Sequence, residues 1–343
     1  MIKHLYYIFA GDTNPYQNLA LEEYLLRNVP PESCILYLWQ NRHTVVIGKN
    51  QNPWQECKVG ALQEDGGYLV RRLSGGGAVF HDLGNLNFTF LMPCEDYDID
   101  KQLAVIAAAA ASFGLTVEKS GRNDLTIDGR KFSGNAFCKQ VNAYHHGTIM
   151  IDADLANLSK YLNVSLQKLQ SNGVSSVRSR VANLKEFCPE ITVEQMKKRL
   201  VEAFGQVYGG EPKLLEEKAL DYEQITRYAD KYASWDWVFG KKLQFDAQIE
   251  NRFPWGAVTL QFCVANGVIS ELAAYSDAMD CDVIYELAEV LKGCRFERQA
   301  MAAALQQLFK PQEDLVFAGF DPARLSREGV VKDLSDWILS QDF

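Results

Sequence analysis

Residues 71 to 82 run Arg71-Arg72-Leu73-Ser74-Gly75-Gly76-Gly77-Ala78-Val79-Phe80-His81-Asp82, between two short stretches of strand composition, Tyr68 to Arg72 and Ala78 to Phe80. Three successive glycines let backbone N–H groups approach a ligand in conformations that a side chain forbids, which suits a phosphate or a carboxylate. A bare glycine triplet is ordinarily a flexible hairpin loop. Two adjacent arginines and Ser74 tilt the balance towards an anion, because guanidinium groups make bidentate, charge-assisted bonds to phosphate oxygens. The spacing is neither G-x-x-x-x-G-K-[ST] nor G-x-G-x-x-G opening a long helix. A nucleotide bound here is held in another way.

Outward from this loop the chain alternates strand and helix signals. Met1 to Ala10 has a short apolar patch without a long apolar signal region or a small-residue cleavage site, and reads as a first strand. Asn14-Pro15 ahead of Leu21, Tyr24 and Leu25 predicts a capped helix with proline at its first position. Ile35 to Trp39, Thr44 to Ile47 and Asn87 to Met92 join the two stretches flanking the glycines as short strands of a mixed sheet. Gln102 to Phe113 predicts a helix closed by Gly114, followed by a strand over Leu115 to Lys119. Asp128-Gly129 between two apolar runs suits a type I′ hairpin turn, so Lys131 begins a strand just after a tight turn. Tyr144 to Ile151 reads as strand, and Asp154 to Leu162 and Thr192 to Phe204 as helices. Trp235, Trp237 and Phe239 suggest aromatic packing near a domain junction. Beyond Glu250, strands at Ala257 to Val264 and Val268 to Ala273 precede helices near Asp282 to Lys292, Gln299 to Phe309 and Val331 to Leu339.

Bulk properties narrow the classes. The 343 residues, 47% apolar and 23% charged, fit a soluble protein with one large and one smaller domain. The longest apolar stretch, Ala104 to Phe113, is about half a bilayer span, so no membrane partner is expected. Eight scattered cysteines without C-x-x-C, and five histidines without H-E-x-x-H, argue against a structural zinc or a disulfide framework. They fit a reducing, cytoplasmic compartment. A net charge of −9 disfavours a nucleic-acid polymer as partner.

Three further segments carry chemistry. Gly121-Arg122-Asn123-Asp124 leads to Lys131-Phe132-Ser133-Gly134-Asn135-Ala136, where a lysine beside small residues can reach a ligand and stabilise developing charge. Taken alone, Lys131 is a solvated strand-end charge; its surroundings reverse that assignment. His145-His146-Gly147-Thr148 places two histidines on opposite faces of a strand, one of them a candidate for the site. Ser176-Val177-Arg178-Ser179-Arg180, leading to Val181-Ala182-Asn183-Leu184, is a candidate basic loop over a phosphate-bearing intermediate.

In order along the chain, R-R-x-S-G-G-G-A-V-F-H-D-x-G-N, G-R-N-D, K-F-S-G-N-A, H-H-G-T and S-V-R-S-R-V-x-N-L resemble the lipoate-protein ligases. The resemblance extends to Asn52-Pro53-Trp54, the Trp235/Trp237 pair and the C-terminal region. It implies an α+β fold with a mixed β-sheet catalytic domain of the lipoate/biotin-ligase type over residues 1–245 and a small C-terminal α/β accessory domain over 250–343. In the family the small domain moves once the adenylate has formed. The resemblance further implies ATP-dependent activation of lipoate, or octanoate, to an acyl-adenylate. Transfer to a lysine of lipoyl-domain acceptor proteins follows, with Mg2+ accompanying ATP. Arg72, Ser74 and the backbone of Gly77, Ala78, Val79 and Phe80 would bind the nucleotide, with Gly75 and Gly76 shaping the loop. Lys131 would be central, contacting the lipoate carboxylate and the α-phosphate, and Asp124 would help hold the nucleotide or its magnesium. Metal ligands are not identifiable, and a monomer is the default expectation.

The first rival is a lipoyl or octanoyl transferase of the same fold, acting through a thioester at Cys138 instead of ATP. No activating base accompanies Cys138 in its motif, and it reads better as a small half-buried strand residue. A biotin-protein ligase has a differently spaced basic glycine loop and ranks third. A non-catalytic binding module would retain the pocket without turnover, and an intact Lys131 argues against it.

Overall fold

Asn14 accepts a hydrogen bond from the Tyr16 amide through its side chain, and Pro15 takes the first helical position, where its missing N–H costs nothing. The computed structural model describes residues 1–120, 124–163, 181–216, 218, 220–240, 243–308 and 326–342. They fall into two compact units, one of residues 1–47, 53–72 and 78–238, the other of 48–52, 73–77 and 239–343.

The first unit runs β1 (His4–Phe9), α1 (Pro15–Arg27), β2 (Ser33–Trp39), β3 (Thr44–Ile47), α2 (Pro53–Glu56), α3 (Val59–Glu64), β4 (Tyr68–Arg71), β5 (Val79–His81), β6 (Asn85–Pro93) and α4 (Ile99–Ala111). It continues through β7 (Glu118–Ser120), β8 (Asp124–Ile127), β9 (Arg130–Lys139), β10 (Asn142–Met150), α5 (Leu155–Tyr161), α6 (Val193–Tyr208), β11 (Lys213–Leu214), α7 (Tyr222–Ala233) and α8 (Trp235–Val238). Eight strands form a mixed sheet in the order β11-β1-β2-β6-β10-β9-β8-β7. A single mixed sheet was the expectation for the N-terminal strands, and here the structure corrects it: β3, β4 and β5 form their own sheet in the order β4-β3-β5. Strands of three or four residues carry too little side-chain pattern to choose their partners, which long-range packing selects instead.

Strand alternation splits the large sheet into two chemically different faces. Cys34, Leu36, Leu38, Phe88, Phe90 and Met92 point into an apolar core with Leu103, Ile106 and Ala110 of α4 and Met196, Leu200 and Phe204 of α6. The intervening residues Tyr37, Trp39, Asn87 and Thr89 are equally buried but polar. Two of them meet α1: the Tyr37 hydroxyl donates to Asn18 Oδ1 at 3.2 Å and the Thr89 hydroxyl to Glu22 Oε1 at 2.7 Å. Helix α6 begins on a reciprocal capping box between Thr192 and Gln195 and stops at Gly209, whose φ of 75° is the left-handed end.

The second unit contains β12 (Ala247–Phe253), β13 (Gly256–Ala265), β14 (Val268–Ser276), α9 (Cys281–Leu291), α10 (Arg298–Leu305) and α11 (Arg327–Leu339). Its strands form an antiparallel meander. Val258, Leu260, Phe262 and Ile269 pack against Ile284, Leu287, Met301, Leu334 and Ile338. Among the described residues no helix is long and apolar enough to cross a membrane, and all eight cysteines are free thiols.

Candidate active site

Asp128 and Gly129 have φ values of 50° and 72°, both positive as a type I′ turn requires. That turn brings β8 against β9 with Thr126 opposite Lys131, and a register shift between Leu125 and Thr126 sets Asp124 opposite Gly134. Lys131 is held from its other side as well: its carbonyl accepts from the Ala182 amide at 2.9 Å, and it forms a parallel bridge with Val181. Its side chain lies over Gly134, where an added Cβ would stand 2.9 Å from Cε and 3.0 Å from Nζ. The ammonium reaches Asp124 Oδ1 at 2.7 Å, with 37% of the lysine and 32% of the aspartate side chain exposed. The pair is therefore open to a ligand, not sealed in the core.

Behind Gly134 the packing is tight. A Cβ on Gly147 would come within 2.7 Å of both the Gly134 carbonyl and Asn135 Oδ1, and within 2.6 Å of the Phe88 ring. Asn135 Oδ1 also lies 3.0 Å from His145 Nε2. As strand alternation requires, the two histidines diverge: His145 stacks on Phe90, and His146 Nδ1 meets Glu22 Oε1 at 2.8 Å. Both are buried. Burial pushes the His145 imidazole down to about 3, with His146 acting the same way. His81 is likewise lowered to about 3 by burial, then by the nearby Arg72 cation and His146.

Buried polar residues that the sequence did not single out join this region. Trp39 Nε1 donates to the Thr89 hydroxyl at 3.0 Å, and that hydroxyl donates to Glu22. Asn18 Nδ2 donates to Asn41 Oδ1 at 3.0 Å, and Asn41 Nδ2 lies 3.3 Å from His81 Nδ1. One signal existed: Glu22 falls on the apolar face of α1, where an unpaired carboxylate would be costly.

The two adjacent arginines separate. Arg72 takes its place through its amide, which donates to Ile47 at 3.0 Å, and through Nη1, which reaches the Val46 carbonyl at 3.2 Å. The expectation that both guanidinium groups serve an anion is corrected for Arg71. Its Nε and Nη2 donate to the carbonyls of Trp237 and Val238 at 2.9 and 2.6 Å, because neighbouring strand residues face opposite ways. Val79 and Phe80 pair with Val46 and Val45 on one edge of β5, and no other strand pairs with its outer edge among the described residues. The Phe80 ring stacks on Tyr161 at 5.4 Å.

Ser74, Gly75, Gly76 and Gly77 belong to the second unit. The Ser74 carbonyl accepts from the Lys49 amide at 2.9 Å, and the Gly76 amide donates to Ala278 at 3.2 Å. Gly76 has a φ of 88°. A Cβ on Gly75 would stand 2.3 Å from the Ala278 carbonyl oxygen, whereas one on Gly77 would meet nothing within 4 Å. Gly121, Arg122 and Asn123, and the basic stretch Ser176 to Arg180, lie outside the described residues. Among those described, no group of three or more His, Cys, Asp and Glu side chains is disposed to hold a metal ion.

Residues 14–205 match the family model of the lipoyl protein ligase A/B catalytic domain, and residues 242–315 that of the bacterial lipoate protein ligase C-terminus. The chain belongs to the lipoate-protein ligase family. It is 37% identical over 338 residues to lipoate-protein ligase A of Psychrobacter cryohalolentis, covering 96% of each chain. Among solved structures, LipL1 of P. falciparum in complex with lipoate is 28% identical and superposes with a TM-score of 0.82, covering 98% of this chain and 99% of that one. The lipoate protein ligase of Thermoplasma acidophilum, from a bipartite system described with its E2 lipoyl domain, is 25% identical with a TM-score of 0.63, covering 72% of this chain and 100% of that one. Within this ligase family the chain carries the expected α+β architecture.

Two stability predictions follow from the site's geometry. Gly75→Ala drives a Cβ into backbone and lowers the calorimetric midpoint of unfolding, while Gly77→Ala stays within about 0.5 kcal/mol of native stability. For His145, the folded value lies below the unfolded value of 6.5, so its contribution is complete above pH 6.5 and is lost as pH falls towards 3. Native stability then declines by up to about 1.4 kcal/mol per pH unit for this group. Urea unfolding of His145→Gln between pH 7 and 5 should show a slope flatter by up to about one proton towards pH 5, and equal slopes would contradict a neutral buried imidazole.

Proposed function

We propose that this ligase activates lipoate with ATP as lipoyl-AMP and passes the acyl group to a lysine of an acceptor protein, with Lys131 as the central catalytic residue. The observation that carries the proposal is a partly exposed ammonium paired with Asp124 and lying over Gly134, on a residue whose backbone carbonyl is held by the Ala182 amide. In the first step the lipoate carboxylate attacks the α-phosphorus of ATP and pyrophosphate leaves. Two anions must meet, and a fixed cation offsets their repulsion. In the second step the acceptor amine attacks the acyl carbonyl and AMP leaves. The same cation stabilises the tetrahedral oxyanion and the departing phosphate. No covalent enzyme intermediate is required.

Arg72, with its buried guanidinium, Ser74 and the backbone of Gly77, Ala78, Val79 and Phe80 are proposed to hold the nucleotide, with Gly75 and Gly76 shaping the loop. Magnesium takes few protein carboxylates and stays with substrate phosphates, so Asp124 is a sufficient protein contribution to an ion that arrives with ATP. Val79 and neighbouring aromatic side chains are proposed to line the channel for the aliphatic tail of lipoate, and octanoate would fit the same chemistry. Residues 1–245 would carry both steps and 250–343 would be accessory. The acceptors would be lipoyl domains of 2-oxoacid dehydrogenase complexes or the glycine-cleavage H protein, modified by a cytoplasmic monomer.

Cys138 stands seven residues beyond Lys131 on β9, roughly 20 Å along an extended strand. A thioester route would need both at one reaction centre, so the spacing supports the ATP-dependent reading over a transferase. Pyrophosphate release with lipoate and ATP, followed by mass gain of a lipoyl-domain acceptor, tests the assignment. Lys131→Ala should lower the first by roughly 10²–10³-fold, with native-like unfolding because an exposed ion pair contributes little stability. Undiminished release by Lys131→Ala would remove the lysine from the mechanism.

A further inference from the structure

The first unit loses the chain three times, after Ile47, after Arg72 and after Val238. All three departure points are tied together by hydrogen bonds inside that unit. The Arg72 amide donates to the Ile47 carbonyl at 3.0 Å. Arg71 donates through Nη2 to the Val238 carbonyl at 2.6 Å and through Nε to the Trp237 carbonyl at 2.9 Å. Trp237 returns the bond, its indole Nε1 donating to the Arg71 carbonyl at 2.9 Å. The peptide group between Arg71 and Arg72 is thus pinned at its oxygen by Trp237 and at its nitrogen by Ile47.

Trp237 is itself fixed. The Tyr232 ring meets it edge-on at 5.6 Å, and the Lys231 ammonium sits 4.4 Å from its ring centroid. Lys231 also pairs with the buried Glu23 of α1, which accepts from Arg27 at 2.9 Å as well. Burial pushes the Glu23 carboxyl up, but the bonds from Lys231 and Arg27 outweigh it and hold the group below its ordinary value. A buried, paired carboxylate thereby anchors the lysine, and the lysine faces the tryptophan. This arrangement exceeds what closing a loop requires: five hydrogen bonds converge on Arg71, the last residue of β4, and on Arg72 beside it.

We propose that Arg71 and Trp237 are positioning residues for the nucleotide, acting through Arg72. The proposal rests on the ATP-binding role assigned to Arg72 above. Pinning the 71–72 peptide fixes the direction in which the Arg72 side chain leaves the backbone just past β4, and a guanidinium that binds phosphate bidentately depends on direction more than on charge. The role also accounts for two residues that the ligase reaction itself leaves without one: an arginine in an anion-binding motif that spends its donors on carbonyls, and a tryptophan distant in sequence from every other candidate.

The experiment compares native protein with Trp237→Phe, which keeps an aromatic ring for Lys231 and Tyr232 but removes the indole donor, and with Arg71→Lys, which keeps the charge but not the fork. Michaelis constants for ATP and for lipoate are measured by pyrophosphate release, with thermal midpoints alongside. Removing one such bond is expected to raise the ATP constant about fivefold in Trp237→Phe, and more in Arg71→Lys, while the lipoate constant stays within about twofold. Unchanged ATP constants in both variants would overturn the proposal. So would equal rises for ATP and lipoate accompanied by a fall in thermal midpoint, which would mark a general structural role. If native protein released no pyrophosphate, the proposed function would fail separately. Calorimetric titration with ATP then decides the positioning role, since weaker binding by the variants supports it and equal binding overturns it.

Discussion

A two-residue turn with both residues at positive φ sets the register of everything around Lys131. Asp128 and Gly129 accept that conformation at little cost and set Thr126 opposite Lys131, and a register shift between Leu125 and Thr126 then brings Asp124 opposite Gly134 across β8 and β9. A slip of one residue would send the lysine to the other face of the sheet and leave its ammonium without Asp124. Gly134 gives the side chain its floor, and Gly147 gives Gly134 its place by leaving room for the Asn135 side chain. The catalytic cation is therefore a product of backbone geometry in three consecutive antiparallel strands more than of any single contact. Its modest exposure follows from the same arrangement, because a lysine at the turn end of a strand lies at the border between core and solvent.

The rest of the first unit supports this end of the sheet from two sides. One face is an ordinary apolar layer beneath α4 and α6. The other buries a run of polar groups, among them Glu22, His146, Thr89, Trp39, Asn41 and His81, whose bonds to one another offset the cost of desolvation. Such a layer tolerates less substitution than a hydrocarbon core, since removal of one partner leaves the next unsatisfied. His81 also links this layer to Arg72 electrostatically: a neutral imidazole beside a buried guanidinium avoids a second uncompensated charge.

Much of this was legible in the sequence because it was written in local chemistry. Asn14-Pro15, Gly114 and Asp128-Gly129 each specify a backbone conformation within a few residues, and the capped helix, the left-handed residue and the turn are found there, although the strand expected over Leu115 to Lys119 is Glu118–Ser120. Long-range partnership was not legible. Nothing within Thr44 to Ile47 or Tyr68 to Arg71 says that these strands leave the main sheet. Asp221 as a cap with Ile225, Ala229 and Tyr232 at helical spacing did mark α7, but the dense aromatic residues around it obscured that period. In the candidate site, counting across the hairpin places Lys131 opposite Thr126, but the register shift after Leu125 that brings Asp124 opposite Gly134 is not marked in the sequence. The divergence of Arg71 from Arg72 follows from strand alternation, yet its destination 166 residues away does not. The grouping of Ser74 to Gly77 with the second unit likewise depends on Ala278 and Lys49, which no local pattern connects to a glycine loop.

The most direct test of acyl-adenylate chemistry at Lys131 is exchange of labelled pyrophosphate into ATP, measured with and without lipoate and in the absence of any acceptor protein. Exchange that requires lipoate, persists in Cys138→Ser and disappears in Lys131→Ala is the predicted result. Acyl transfer from a carrier-bound donor that proceeds without ATP and is abolished by Cys138→Ser, with no lipoate-dependent exchange, would contradict it.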